Sequence, residues 1–423
     1  MSHGQGKIVM VLGDGMGGRD VPSLGGRTCI EAAHTPALDT VARLGASALM
    51  YLASPGQPIG SDTAHMALLG YDPLRYYRGR GPFEAAGVGL AMQPGDVAFR
   101  CNFTTVDDND LITDRRAGRI KSGTDQLAAA IMEAFRDGIE GVQVLFKESV
   151  EHRAALVLRG EGLDYHVSDV DPHDVGMPWA ECHPTPNCPP EDLPRAERTA
   201  RIVNEFVARA HEVLESHPVN LARRAEGLPP ANAVLPRGAG EAVDLAPFAS
   251  RHDGLRGAMI VEVDLVRGLG QYAALDVLHV EGATGGRDTD EMAIARAVAE
   301  AWKSYDFVLC NIKAPDLGGH DHDPQQKIEA VEKVDRAVAY LLDTLDFSHT
   351  ALMIGADHCT PVTVGDHTGD AVPVAFYGCG VRTDSVDTYG ERAAAAGGVG
   401  QISGGDALIL LRNFVGRIAK FGA

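Results

Sequence analysis

The stretch Ala351-Leu352-Met353-Ile354-Gly355-Ala356-Asp357-His358 decides the architecture. Leu352–Ile354 is too short for a helix, is rich in apolar side chains and is bounded by glycine, so it reads as a strand buried on both faces, as in a parallel sheet. Ile8–Leu12, Phe307–Ile312 and Val372–Tyr377 have the same character. Between these runs lie helical patterns at Pro36–Leu44, Asp290–Trp302, Gln325–Leu345 and Asp406–Ile418. Strands alternating with helices predict an α/β sheet covered by helices. The middle of the chain is different: strand-like Leu156–Leu158 and Met259–Val263 surround a long amphipathic helix near Arg195–Glu215. Pro-rich segments at Asp171–Pro194 and Leu228–Pro236 interrupt the pattern. The expected organisation is a core of residues 1–103 and 286–423, with residues 104–285 inserted as a smaller α+β domain.

A chain of 423 residues with 45% hydrophobic content has material for two buried cores. Its formal charge of −20 repels nucleic acid and anionic membranes, and no run of Lys or Arg offers a local exception. No stretch reaches the roughly 18 apolar residues of a membrane span. These features predict a soluble, cytoplasmic protein with a small-molecule partner, and they leave oligomeric state open. Seven scattered cysteines argue against a secreted disulfide framework, and Cys182 and Cys188 are too far apart for the usual zinc-binding pair.

In an open α/β sheet ligands bind beyond the carboxyl ends of the strands, so the polar residues there carry the chemistry. The first strand leads to Asp14 within Gly13-Asp14-Gly15-Met16-Gly17. Phe307–Ile312 leads to Asp316 and His320, whose i, i+4 spacing puts a carboxylate and an imidazole on one helical face. Asp357 and His358 follow the quoted strand, and His367 comes nine residues after His358. Each could be a cap or turn residue alone. Together they form an oxygen and imidazole set suited to manganese, zinc or magnesium, sufficient for two ions that clamp an in-line displacement at phosphorus. Ser61, in Gly60-Ser61-Asp62-Thr63-Ala64-His65, stands where a helix begins. Such a serine ordinarily reads as a cap, but backbone N–H groups there also attract phosphate, and a metal ion can activate its hydroxyl.

This arrangement resembles the alkaline phosphatase superfamily. Longer motifs resemble the archaeal-type, cofactor-independent phosphoglycerate mutases. These include Gly60–His65, Gly70-Tyr71-Asp72-Pro73, Gly79–Ala85, Phe99–Phe103 and Thr113–Ile120. They continue through His152-Arg153, Asp171-Pro172-His173, Arg237–Gly240, Glu281–Gly285 and Lys420-Phe421-Gly422-Ala423. The resemblance implies an alkaline-phosphatase-like sheet sandwiched by helices and two divalent metal ions, manganese foremost, with zinc, cobalt and magnesium open. It implies no requirement for 2,3-bisphosphoglycerate. One ion would be held by Asp316, His320 and His367, the other by Asp14, Ser61, Asp357 and His358. Ser61 would carry the phosphoryl group between the two hydroxyls of glycerate, with the insert as a lid. His65 is a candidate phosphate-binding or acid residue, or else a packed helix histidine, and His322 stays outside the ligand set. Arg116, Arg119 and Arg153 are candidates for the substrate's carboxylate and phosphate; Asp114 and Asp171 are candidates for its hydroxyls, although Asp171-Pro172 equally suits a turn.

Three segments depart from the family pattern. Gly18-Arg19-Asp20 replaces Gly-Asp-Arg-Pro. Val263–Gly268, preceded by Glu262, carries Arg267 where lysine is usual, and Arg267 is a further substrate-binding candidate. Gln401 and Ser403 in Gly400–Gly404 stand where arginines are usual. The expected reaction is interconversion of 3- and 2-phosphoglycerate. The competing readings are a paralogue with the same serine and metals but another phospho- or phosphono-substrate, and a noncatalytic metal-dependent binding protein.

Overall fold

The computed structural model describes residues 6–420 and 422, so Phe421 and Ala423 of the closing motif lie outside the described residues. In chain order the strands are β1 (Lys7–Gly13), β2 (Ala46–Tyr51), β3 (Val97–Val106), β4 (Ile112–Asp114), β5 (Gln143–Glu148), β6 (Arg153–Arg159) and β7 (Ala233–Glu241). They continue with β8 (Gly257–Val261), β9 (Asp276–Val277), β10 (Phe307–Ile312), β11 (Thr350–Gly355), β12 (Val372–Gly378) and β13 (Gly400–Ser403). The chain forms two compact units, one drawn from residues up to Tyr76 and from Leu245 onward, the other spanning Tyr77–Asp244.

The larger unit is built on an eight-stranded sheet in the order β13-β2-β12-β11-β1-β10-β8-β9. Its central strands are buried on both faces, which explains their unbroken apolar runs. One helical group centres on Pro324–Thr344, in contact with Pro36–Leu44 and Glu291–Ser304; a second joins Ser61–Leu68, Asp264–Tyr272 and Gly404–Phe414. Local sequence sets several of these helix starts. Asp323 accepts from the N–H groups of Gln325 and Gln326, and Asp290 from that of Ala293. The helix expected over Asp406–Ile418 starts earlier, behind a Ser403/Asp406 capping box, and ends at Phe414. The sheet is dominated by parallel pairings, but β12 runs antiparallel to both β11 and β2, against the parallel reading of Val372–Tyr377.

The smaller unit is an antiparallel sheet in the order β4-β3-β6-β5, with β7 also paired to β3. The helices Thr124–Ala134 and Leu193–Glu215 pack on it around Phe99, Phe103, Phe135, Phe146 and Phe206. Its boundaries differ from the expected 104–285. β3 belongs wholly to the smaller unit, whereas β8, which contains most of the Met259–Val263 run, pairs with β10 in the large sheet. Arg267 therefore lies in the larger unit, on the helix Asp264–Tyr272.

Candidate active site

β11, β1 and β10 are adjacent and parallel, and their register brings their carboxyl ends level: Leu12 is opposite Gly355, and Gly13 opposite Ile312. Each strand then delivers polar residues to one place. β1 gives Asp14, β11 gives Asp357 and His358, and β10 gives Lys313 followed by Asp316 and His320 on the short helix Ala314–His320. His367 comes from the loop before β12.

Two groups of potential ligands result, Asp14 with Asp357 and His358, and Asp316 with His358 and His367, each with its ligand atoms within 4.8 Å of one another. His358 belongs to both. Its Nε2 lies 3.6 Å from Asp14 Oδ1 and 3.5 Å from Asp357 Oδ2, and its ring stacks on that of His367 with centroids 3.7 Å apart. His320 sits beside the second group, with Nε2 3.4 Å from Asp316 Oδ2. His322 joins neither group, and its Nδ1 lies 2.9 Å from the Val362 carbonyl.

The outer contacts orient the imidazoles. Nδ1 of His320 lies 2.9 Å from the Gly365 carbonyl, and Nδ1 of His367 lies 2.8 Å from that of Ile59. Donation from Nδ1 to these carbonyls leaves each Nε2 as a lone-pair donor facing the carboxylates, the tautomer that a metal ion requires. Thr360 Oγ1 donates to Asp316 Oδ1 at 2.7 Å and stands 3.1 Å from His358 Nδ1.

Charge balance also suits a divalent cation. Asp14, Asp316 and Asp357 are buried, with one ammonium, Lys313 Nζ, lying 2.7 Å from both Asp14 and Asp316. Burial, then the neighbouring Asp357, raises the Asp14 pKa. At Asp316 burial pushes the same way but is outweighed by Lys313 and His320, which hold it well below the usual carboxylate range. Burial, followed by His367, pushes His358 down to about 3, so its ring is a neutral ligand at pH 7. Asp357 Oδ1 accepts from Gly15 N–H at 2.9 Å, whereas Oδ2 is buried and has no hydrogen-bond partner among the described residues. Such an orphaned oxygen beside imidazole lone pairs is what a divalent ion would satisfy.

Ser61 is the first residue of the helix Ser61–Leu68, and the cap position belongs to Gly60. Its hydroxyl is therefore not a cap. Oγ lies 3.2 Å from His358 Nε2, at the edge of the ligand set. His65 is fully buried, with Nδ1 2.7 Å from the Ser61 carbonyl and Nε2 3.2 Å from Asn311 Nδ2, which itself donates to Asp14 at 2.8 Å. Both ring nitrogens are thus engaged within the scaffold. These contacts fit the packed-histidine alternative and place His65 beside the ligand set through Asn311.

In the smaller unit, Arg153 stands in a cluster that also includes Arg100 and, across β3, Arg237. Glu84 ion-pairs with Arg80 and Arg100, and these arginines hold its carboxyl low despite burial. Nε of Arg100, Arg153 and Arg237 is buried without a hydrogen-bond partner among the described residues. Exposed Arg116 and Arg119 add to the same field, which helps burial push the His152 imidazole down to about 3. Asp114 and Asp171 both have local partners. Asp114 accepts from the N–H groups of Arg116 and Gly118, shaping the turn that carries these arginines. Asp171 is gripped by Arg115 through two bonds of 3.0 and 2.7 Å and also accepts from His173 N–H. Arg267 bonds Asp264 one turn away, so this candidate too has a local partner.

Sequence reasoning passed over Lys313, although the rule that found Asp14, a polar residue directly after a buried strand, finds it too. It also missed Lys327, Thr360 and Asn311. Lys327 is fully buried on the helix Pro324–Thr344 and donates to the carbonyls of Gly15, Gly17 and Thr360 at 2.7–2.9 Å, tying two ligand-bearing loops together.

Fold and site define the class: an α/β protein with a serine hydroxyl beside paired carboxylate and imidazole groups at parallel strand ends, the layout of a metal-dependent phosphoryl-transfer enzyme. The family described as 2,3-bisphosphoglycerate-independent phosphoglycerate mutase matches residues 42–220, and that of type I phosphodiesterase / nucleotide pyrophosphatase matches residues 178–371. The chain is 46% identical to 2,3-bisphosphoglycerate-independent phosphoglycerate mutase 1 of Methanothermobacter thermautotrophicus, over 98% of this chain and 99% of that protein. It is 47% identical to the Methanopyrus kandleri mutase, over 99% and 98%. The solved cofactor-independent phosphoglycerate mutase of Thermoplasma acidophilum superposes with a TM-score of 0.67 at 34% identity, covering 97% of this chain and 100% of that one. The chain belongs to the 2,3-bisphosphoglycerate-independent phosphoglycerate mutase family.

Proposed function

We propose that this protein interconverts 3-phosphoglycerate and 2-phosphoglycerate without 2,3-bisphosphoglycerate, through a phosphoserine on Ser61. The observation that carries the reading is the Ser61 hydroxyl, released from capping by Gly60 and set 3.2 Å from the imidazole shared by two ligand groups. A divalent ion at each group would lower the pKa of a nearby hydroxyl and stabilise charge on the phosphoryl oxygens. Asp14, Asp357 and His358 would hold one ion; Asp316, His320 and His367 would hold the other, with His358 between them.

Ser61 Oγ gives up its hydroxyl proton and forms a bond to phosphorus while the bond from phosphorus to the glycerate oxygen breaks, and that oxygen takes up a proton in exchange, so the step is proton-neutral. The reverse sequence delivers the phosphoryl group to the neighbouring hydroxyl. The helix N-terminus at Ser61 directs backbone N–H groups toward the transferred phosphoryl oxygens. Lys313, with its pKa raised by the surrounding aspartates despite burial, stays protonated as a fixed positive charge. Arg100, Arg153 and Arg237, each with a buried Nε that has no hydrogen-bond partner among the described residues, and the exposed Arg116 and Arg119 would be the candidates for recognising the substrate's anionic groups, because guanidinium N–H groups match carboxylate and phosphate oxygens.

The paralogue reading rested on Arg267, Gln401 and Ser403. Arg267 is paired with Asp264, Ser403 caps a helix, and Gln401 is exposed on the edge strand β13, so local structure accounts for the first two and none of the three singles out another substrate. A coupled assay of 3-phosphoglycerate with manganese or cobalt and no bisphosphoglycerate tests the proposal. Wild type turns over, and Ser61→Ala falls by about 10⁴-fold or more. Silence of folded, metal-loaded wild type would overturn the mutase reading; an undiminished Ser61→Ala would overturn the nucleophile.

A further inference from the structure

The smaller unit holds a third ligand group, remote in composition from the other two. Asp164, His166 and Cys188 each offer one ligand atom, and these atoms lie within 4.8 Å of one another. Asp164 is buried, and His166 and Cys188 are partly so. We propose that this carboxylate, imidazole and thiolate set binds one zinc-type divalent ion, separate from the ions at the strand ends of the larger unit.

The set is built into its surroundings. Asp164 N–H donates to Thr199 Oγ1 on the long helix Leu193–Glu215, and Asp164 Oδ1 accepts from the backbone N–H of His166 at 2.9 Å. The same oxygen lies 2.7 Å from His166 Nδ1, which fixes the ring. The cysteine arrives by a separate route: Thr185 N–H donates to the His166 carbonyl, and Cys188 N–H donates to the Thr185 carbonyl, so a turn presses Cys188 against the Asp164–His166 segment. Backbone bonds therefore assemble the three side chains before any ion arrives.

Thiolate with imidazole selects zinc over magnesium or calcium, and water can complete the tetrahedron. Asp164, Asp192 and Glu191 lend negative charge to the surroundings of Cys188, favouring a cation there. Arg195 competes, with Nη2 3.4 Å from Asp164 Oδ2 and a close bond to Asp192. Binding requires that Arg195 remain on Asp192 while Asp164 turns to the ion. Binding also transfers the Cys188 proton to solvent, so affinity rises with pH. The gain is a clip across residues 164–188, within a stretch that has many prolines and no helix or named strand.

Cobalt loading of the full-length protein separates this ion from the others, because the ligand groups of the larger unit contain no sulfur. Wild type is expected to show near-ultraviolet thiolate-to-cobalt charge transfer. Cys188→Ser should lose that band and one bound cobalt per chain while retaining mutase turnover. His166→Gln should weaken the band's cobalt dependence by about tenfold or more. Absence of the band from cobalt-saturated wild type, or its persistence in Cys188→Ser, would overturn the proposal, and neither result bears on Ser61.

Discussion

Lys327 shows how one residue can govern a site it does not enter. Its ammonium is fully buried, and burial lowers its pKa, yet three carbonyl oxygens from the Gly15–Gly17 and Thr360 backbones surround it. Replacement by Met would keep the apolar stem and leave those carbonyls unpaired, at a cost of about 2–4 kcal/mol. Urea unfolding of Lys327→Met should show that loss, and Lys327→Arg should not restore it, because a planar fork is larger than the cavity that three converging carbonyls define. Thr360→Val removes the donor to Asp316 and the partner of His358, and should weaken metal binding by about tenfold, measurable by titration calorimetry. An unchanged affinity would show that these ligands need no such support. At this scale the sequence was readable where chemistry follows a strand end, as at Asp14, Asp316 and Asp357. It did not disclose the partners of Asp114, Asp171 and His65, which are a backbone turn, Arg115 and the Ser61 carbonyl: a polar side chain does not reveal in sequence which groups the fold sets against it.

Elements were legible in proportion to how far local pattern determines them. Pro36–Leu44 matches its helix residue for residue, because proline sets its start and Gly45 follows its end. β8 and β3 are both apolar strands, but a strand's own residues do not say which sheet will accept its edges, so the expected boundaries at 104 and 285 moved to 77 and 244. Direction is equally nonlocal: β12 is buried like its parallel neighbours and runs against them. Ser403 gives this scale its test. Where a family arginine is usual, its hydroxyl donates to the Asp406 carboxylate at 2.7 Å, and the same carboxylate accepts from Ser403 N–H at 2.8 Å. Ser403→Ala should therefore destabilise the protein by about 1 kcal/mol in chemical denaturation and leave KM for 3-phosphoglycerate unchanged. A raised KM with unaltered stability would return the residue to substrate recognition.

Across the whole molecule the response to acid sums groups whose pKa values folding moves in both directions. The formal charge of −20 makes the neutral-pH protein self-repelling, and acid relieves that repulsion as carboxylates protonate. Buried Glu262 and Asp335 and partly buried Glu391 have raised pKa values, so their penalty also diminishes as pH falls. Groups that resist protonation oppose this trend, among them carboxyls held low such as Glu84 and histidines held neutral; His252 and His152 are two such histidines, one from each unit. Burial lowers the pKa of His252, and burial together with Arg153 and Arg100 takes His152 down to about 3. In the unfolded chain a histidine titrates near pH 6.5. Between those values the unfolded state holds a proton that the folded state lacks, so each group's effect is absent above about pH 6.5 and destabilises increasingly below it. For His152 alone the difference between pH 7.5 and 5.5 amounts to about 1 kcal/mol. Because acid also changes repulsion and the raised carboxyls, the informative quantity is the contrast with His152→Gln, which retains a polar side chain but cannot protonate. Urea unfolding should show wild type losing about 1 kcal/mol more than His152→Gln over that interval, whereas parallel losses would mean that His152 accepts its proton within the folded arginine cluster.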